Sequence, residues 1–154
     1  AMAVRRPERA YGKRLALIRP ARNQRRRKQD RSVRAGAGII YVHAKVLVVD
    51  DAAAMVTSAN LNGRSLRWDT EAGVTLTAPE QAAALRQSLF RSLLPDPPPP
   101  ATLDPLQAPA AWQSLAENNL RRPPGEREGL ILPYHVGPAE EMGTPVPAMP
   151  EEMV

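Results

Sequence analysis

Fourteen of the seventeen prolines fall between residues 95 and 154. Proline removes a backbone donor and fixes φ, so a stretch this rich in it resists regular strand and helix. The compact part of the 154-residue chain is therefore expected to be about ninety residues long, with a Pro-rich tail behind it. A core of that size is small for an enzyme with an enclosed pocket, which points to a dimer or to one part of something larger.

Charge is polarised along the chain. Residues 1–34 hold thirteen Lys/Arg against two acids, a local charge of +11, while the other 120 residues carry −6. The densest run is Arg22-Asn23-Gln24-Arg25-Arg26-Arg27-Lys28, followed by Arg31 and Arg34. Two readings stay open for it: a surface for a polyanion (nucleic acid or an anionic lipid membrane), or a solvated, mobile loop. No aromatic residue is interleaved with these bases, so stacking on single-stranded bases has no support here.

The absence of cysteine removes disulfides, thiolate catalysis and Cys-ligated zinc together, but leaves the compartment open. No run of about 18 apolar residues exists to span a bilayer. The N-terminal AMAVRRPERAYGKR has no apolar stretch behind its bases and does not read as a signal peptide.

Three segments are expected: 1–38, a basic stretch with one short strand and a loop; 39–94, a catalytic half-domain; and 95–154, a Pro-rich extension. Leu15-Ala16-Leu17-Ile18 reads as a strand ended by Pro20, and residues 20–38 as a loop closing on Ala35-Gly36-Ala37-Gly38. The run from Ile39 to Asp50 is β-branched and almost continuously apolar, the pattern of a strand buried on both faces. Asp50-Asp51 signals a turn, residues 53–57 a second strand and 71–77 a third. Pro79 suits the first turn of a helix, and Ala82, Leu85, Leu89 and Leu93 recur at helical spacing through residue 94. Pro95 to Pro100 is expected to extend as polyproline II, with one short helix over 110–119 beyond it.

Chemistry concentrates around the apolar run. His43 and Lys45 sit two apart, so on a strand their side chains share a face. Burying a lysine is costly unless its charge is used, and an imidazole beside it suits an anion site. Asp50 follows, and then Ser58 and Asn60, again two apart, giving the spacing H-x-K-x4-D-x6-T-S-x-N. A lone histidine on an apolar strand is more often a packed core residue. Four such side chains together supply a proton carrier or nucleophile, a permanent cation and two neutral hydrogen-bonding groups. Transfer at a phosphodiester needs these types, because charge on the phosphoryl oxygens must be held throughout.

His43-Ala44-Lys45-Val46-Leu47-Val48-Val49-Asp50 resembles the HKD motif of the phospholipase D superfamily, and Thr57-Ser58-Ala59-Asn60 its downstream Gly-Ser-x-Asn, with Thr57 in place of the usual Gly. Asn62 and Arg64-Ser65 stand where such proteins read Asn-x-Arg-Ser. The resemblance implies metal-independent chemistry with no cofactor, in which one motif's histidine forms a phosphohistidine and the other's protonates the leaving alcohol and then activates water or an acceptor alcohol. It implies that His43 is one of these two histidines. Lys45 and Asn60 would bind phosphoryl oxygens, with Ser58 supporting them. Glu71 would orient the imidazole, and Asp50 would be the motif's structural acid. Taken alone, Glu71 reads equally as a surface acid beside Asp69, Trp68 as a cleft wall or an edge-packing aromatic, and Asp51 as a turn residue.

One histidine cannot stand on both sides of phosphorus, and His135, in Leu132-Pro133-Tyr134-His135-Val136, has no lysine two residues later. A second motif is therefore expected from a partner, either as a symmetric homodimer or as the other half of a two-motif enzyme. The position of His43, together with Trp112, Leu130-Ile131-Leu132-Pro133-Tyr134 and the ending Glu151-Glu152-Met153-Val154, resembles the C-terminal half of a bacterial phospholipase D. The expected fold is α/β: one HKD half of a phospholipase D-like mixed-sheet sandwich, the sheet covered by helix 79–94, with the Pro-rich tail. The expected function is phosphodiester hydrolysis or transphosphatidylation on phospholipids at a membrane surface. The resemblance favours a secreted or membrane-peripheral location. The alternatives are a homodimeric HKD-type endonuclease, favoured by segment 22–34, and an inactive remnant that binds anionic lipid or nucleic acid.

Overall fold

The computed structural model describes residues 14–26 and 33–134, so residues 27–32 of the basic run, His135 and the tail behind it lie outside the described residues. The described chain is mixed α/β and divides into two compact units, one of residues 14–26, 33–42 and 90–134, the other of residues 43–89.

In the first unit, strands β1 (Ile18–Arg25), β2 (Val33–Arg34) and β3 (Ala37–Ile39) belong to a four-stranded sheet. β1 runs through Pro20 rather than ending there. Successive residues of a strand face opposite neighbours. The Ala21 N–H bonds to the Leu130 carbonyl at 2.7 Å, so the donor that Pro20 lacks would face the other way. There its carbonyl accepts from Ile40 at 3.0 Å, just past the end of β3, and the missing N–H interrupts little. Part of the expected loop is likewise a hairpin. Ala35 and Gly36 both have positive φ (48° and 77°), the geometry of a type I′ turn, and pair Arg34 with Ala37.

The second unit holds β4 (Lys45–Val49), β5 (Ala53–Thr57), the short helix α1 (Gly63–Arg67) and β6 (Gly73–Leu76), the three strands forming one antiparallel sheet in chain order. Here the single strand expected over 39–50 is corrected: residues 40–44 belong to no strand, and the apolar run is divided between β3 and β4. Periodicity carries no signal for a break inside a continuous apolar run. Nor is β4 buried on both faces. Leu47 and Val49 are 59% and 49% exposed, on the face they share with Met55, while Val46 and Val48 are half-buried on the other. The β4–β5 turn forms at Asp50-Asp51, both with positive φ, a conformation Asp tolerates. Asp51 also receives a two-pronged bond from Arg86, at 2.6 and 2.7 Å.

Arg86 lies on α2 (Pro79–Leu93), where Pro79 opens the helix, Ala82 is fully buried, and Leu85, Leu89 and Leu93 continue a half-buried stripe at the expected spacing. The division between the units falls within this helix. The proline run after it bends at Asp96–Pro97, whose peptide is cis, and closes as a 3-10 turn over Pro100–Thr102 instead of extending throughout.

The Pro-rich region up to Tyr134 supplies most of the first unit's core. Helix α3 (Ala108–Arg121) buries Trp112, Leu115, Ala116 and Asn119 at i, i+3, i+4 and i+7, against Leu94 and Ile131. The Trp112 indole donates to the Thr102 carbonyl at 2.9 Å and meets the edge of Phe90. Strand β7 (Ile131–Pro133) is buried throughout and pairs with β1, completing the order β2-β3-β1-β7. Gly129, at φ 71°, is required where it stands: a Cβ there would lie 2.6 Å from the Leu93 carbonyl oxygen.

Candidate active site

His43 is exposed, two residues before the start of β4, and Lys45 is the first residue of that strand. The two side chains meet, as the spacing predicts for residues two apart. The Lys45 Nζ stands 3.0 Å from His43 Nε2 and donates to the His43 carbonyl at 2.8 Å. A ring nitrogen of an exposed imidazole thus lies against a permanent cation.

Lys45 is paired across the ladder with Thr57, the last residue of β5, and Thr57 with Gly73 at the start of β6. Ser58 continues that rung, its N–H bonded to the Ala72 carbonyl at 2.9 Å. Its hydroxyl accepts from the Ala72 N–H at 3.0 Å and donates to Glu71 Oε2 at 2.5 Å. The Glu71 carboxyl is held below the usual carboxylate range, first by Ser58 and then by the Ser65 hydroxyl; the charges of Lys45 and Arg64 help, and slight desolvation opposes them. His43, Lys45, Ser58 and Glu71 are therefore assembled around one end of the β4–β5–β6 sheet.

Of the other two sequence-derived candidates, Asn60 follows Ser58 by two residues and Asp50 stands elsewhere. Asn60 is exposed in the loop after β5, where its carbonyl accepts from the Asn62 N–H. Asp50 lies in the turn at the far end of β4 from Lys45, about 16 Å along a strand of that length.

The sequence reading gave no role to Ser65, which is 8% exposed and bonds to Glu71. Its position was legible in the local pattern. Asn62 caps α1, its Oδ1 accepting from the Ser65 N–H at 2.9 Å, and the N-cap spacing fixes which residue comes third in the first turn. Arg64 pairs with Asp69 at 2.9 Å. Thr57, where the resembling motif reads Gly, donates to the Ala72 carbonyl at 3.2 Å and accepts from the Ala59 N–H at 3.1 Å. The side-chain-free position lies across the ladder: a Cβ on Gly73 would come 3.0 Å from Thr57 Cβ and 3.1 Å from the Val56 carbonyl oxygen.

Comparison with known proteins bears on this cluster. Residues 13–93, just over half of the chain, match the family described as cardiolipin synthase, PLD-like domain. A stretch of 39 residues is 51% identical to phospholipase D zeta 1 of Arabidopsis thaliana, covering 24% of this chain and 4% of that protein. The chain thus spans a small part of that relative's length. No solved structure matches significantly. On the strength of the family match and the H-x-K-x4-D motif it covers, the chain belongs to the phospholipase D superfamily of phosphodiesterases.

Proposed function

We propose that this chain carries one half of a phospholipase D-type active site, acting on the phosphodiester of a phospholipid. The observation that carries the reading is the His43–Lys45 contact, next to the Ser58–Glu71 pair. In the proposed reaction the second motif's histidine bonds to phosphorus as the P–O bond to the leaving alcohol breaks, and His43 gives that oxygen its proton. His43 then takes a proton from water or an acceptor alcohol as its oxygen bonds to phosphorus and the P–N bond breaks. Lys45 and Asn60 hold the phosphoryl oxygens, Ser58 and Glu71 brace the cluster, and Asp50 shapes the β4–β5 turn. No metal or cofactor takes part in this reading.

The lipid substrate is supported by exposed Leu61, Leu66 and Trp68 along the segment between Ser58 and Glu71. The need for a partner, either a second copy or the other half of a two-motif enzyme, is supported by the single HKD motif and by the open apolar face of Leu47, Val49 and Met55. The test is a pair of assays with EDTA present, on phosphatidylcholine vesicles and on plasmid DNA, with the chain and its His43→Ala variant. Release of headgroup that is lost in His43→Ala supports the reading. Cleavage of DNA without headgroup release moves it to a nuclease.

A further inference from the structure

We propose that the ribbon of β1, β2 and β3 is a docking surface for an anionic lipid membrane. Its described part is a registered antiparallel ribbon, with Arg25 opposite Ala37 and Arg34 opposite Ala37 on the other side. Six arginines occupy residues 14–26 and 33–42, with no Asp or Glu among them. Arg19 lies over the Tyr134 ring at 4.8 Å and is already engaged.

Arg22 and Arg26 share a face. A Cβ on Gly38 would lie 3.4 Å from Arg26 Nε and 3.8 Å from Arg22 Cδ, so the two arginine stems converge over the one β3 position without a side chain. Arg25 and Arg34 flank Ala37 on the opposite face. Behind the ribbon, Arg127 is 8% exposed and fixes the hairpin turn. It donates to the Ala35 carbonyl at 2.5 Å and, from Nε, to the Asn119 carbonyl at 3.0 Å. Burial pulls its pKa down, and a guanidinium stays protonated in proteins, so Arg127 keeps its positive charge behind the ribbon. The basic side chains are thus held on a fixed frame and not on a loose loop.

What favours lipid over nucleic acid is the residue type at the ribbon's end. Tyr41 and Val42, two and three residues past the end of β3, are 82% and 55% exposed. Guanidinium groups beside an exposed aromatic and an aliphatic residue suit the boundary between anionic headgroups and acyl chains.

The experiment is flotation of the full chain with vesicles of phosphatidylcholine alone or mixed with phosphatidylglycerol, beside a gel-shift with duplex and single-stranded DNA. The chain is expected to float with the mixed vesicles only. Each arginine near an anionic surface contributes about a five-fold gain in partition, so Arg22→Gln/Arg26→Gln should lower it about 25-fold. Arg22→Lys/Arg26→Lys should keep it, which separates lost charge from lost fold. His43→Ala should float like the parent, and Arg22→Gln/Arg26→Gln should leave turnover of soluble bis-p-nitrophenyl phosphate by the assembled two-motif species unchanged, so failure of the catalytic reading and failure of this one are told apart. Undiminished flotation of the glutamine variant, or tight binding of DNA without flotation, overturns the proposal.

Discussion

Asn119 is fully buried on the inner stripe of α3, and its truncation has a cost that can be worked from its bonds. Its Nδ2 donates to the Glu128 carbonyl at 2.7 Å and the Ile131 carbonyl at 3.0 Å, and its Oδ1 accepts from the Glu128 N–H at 2.9 Å. Asn119→Ala leaves all three backbone groups without that partner. Glu128 is exposed, so water can replace part of what its two groups lose. Ile131 is 1% exposed, and its carbonyl bears the full penalty. At about 1–3 kcal/mol for an orphaned buried group and less for the wet ones, the total comes to about 2–4 kcal/mol. That is a large fraction of the stability of a small domain. With a urea slope of about 1–3 kcal/mol per molar, the midpoint should fall by about 1–2 M. The assay is urea unfolding followed by Trp112 fluorescence in a Trp68→Phe background, since Trp68 is exposed and Trp112 buried. Asn119→Asp should be worse than alanine, because it turns a carboxylate toward two carbonyls that now receive an N–H. An unchanged midpoint in either variant would refute the reasoning that Asn119 joins β7 to α3.

Other outcomes follow from the same geometry. Glu71 is held low first by Ser58, so its contribution is complete above about pH 4.5 and is lost as pH falls through its lowered folded value. Ser58→Ala should raise that titration toward the ordinary range, as read from the carboxyl carbon shift. Gly73→Ala should destabilise the second unit by about 1–3 kcal/mol through overpacking against Thr57 and the Val56 carbonyl, as read in a thermal melt. Replacing His43 by alanine should lower turnover of bis-p-nitrophenyl phosphate in the assembled enzyme by about 10²–10⁴-fold, without a change in the melt.

The His43–Lys45 meeting was legible in the two-residue spacing. The strand around it was not, since nothing in Ile39-Ile40-Tyr41-Val42 marks where β3 ends. The α/β class and helix α2 were legible from periodicity and the Pro79 start. The structural part played by residues 95–134 was hidden by their prolines: Pro133 ends β7 and Pro109 lies in the first turn of α3, positions where a missing N–H costs little. The hairpin at Ala35-Gly36 escaped notice because alanine seldom takes a positive φ. Of the site, Glu71's second hydroxyl partner was reachable only through the capped turn that places Ser65.

The central claim is that His43 and Lys45 make half of a site. Its most direct test is specific activity on bis-p-nitrophenyl phosphate in EDTA across a range of chain concentrations, with mass by light scattering on the same samples. The account predicts a silent monomer, with turnover confined to a species of twice the mass or appearing when a second HKD-bearing chain is added. Turnover by the monomer that depends on His43 would contradict it.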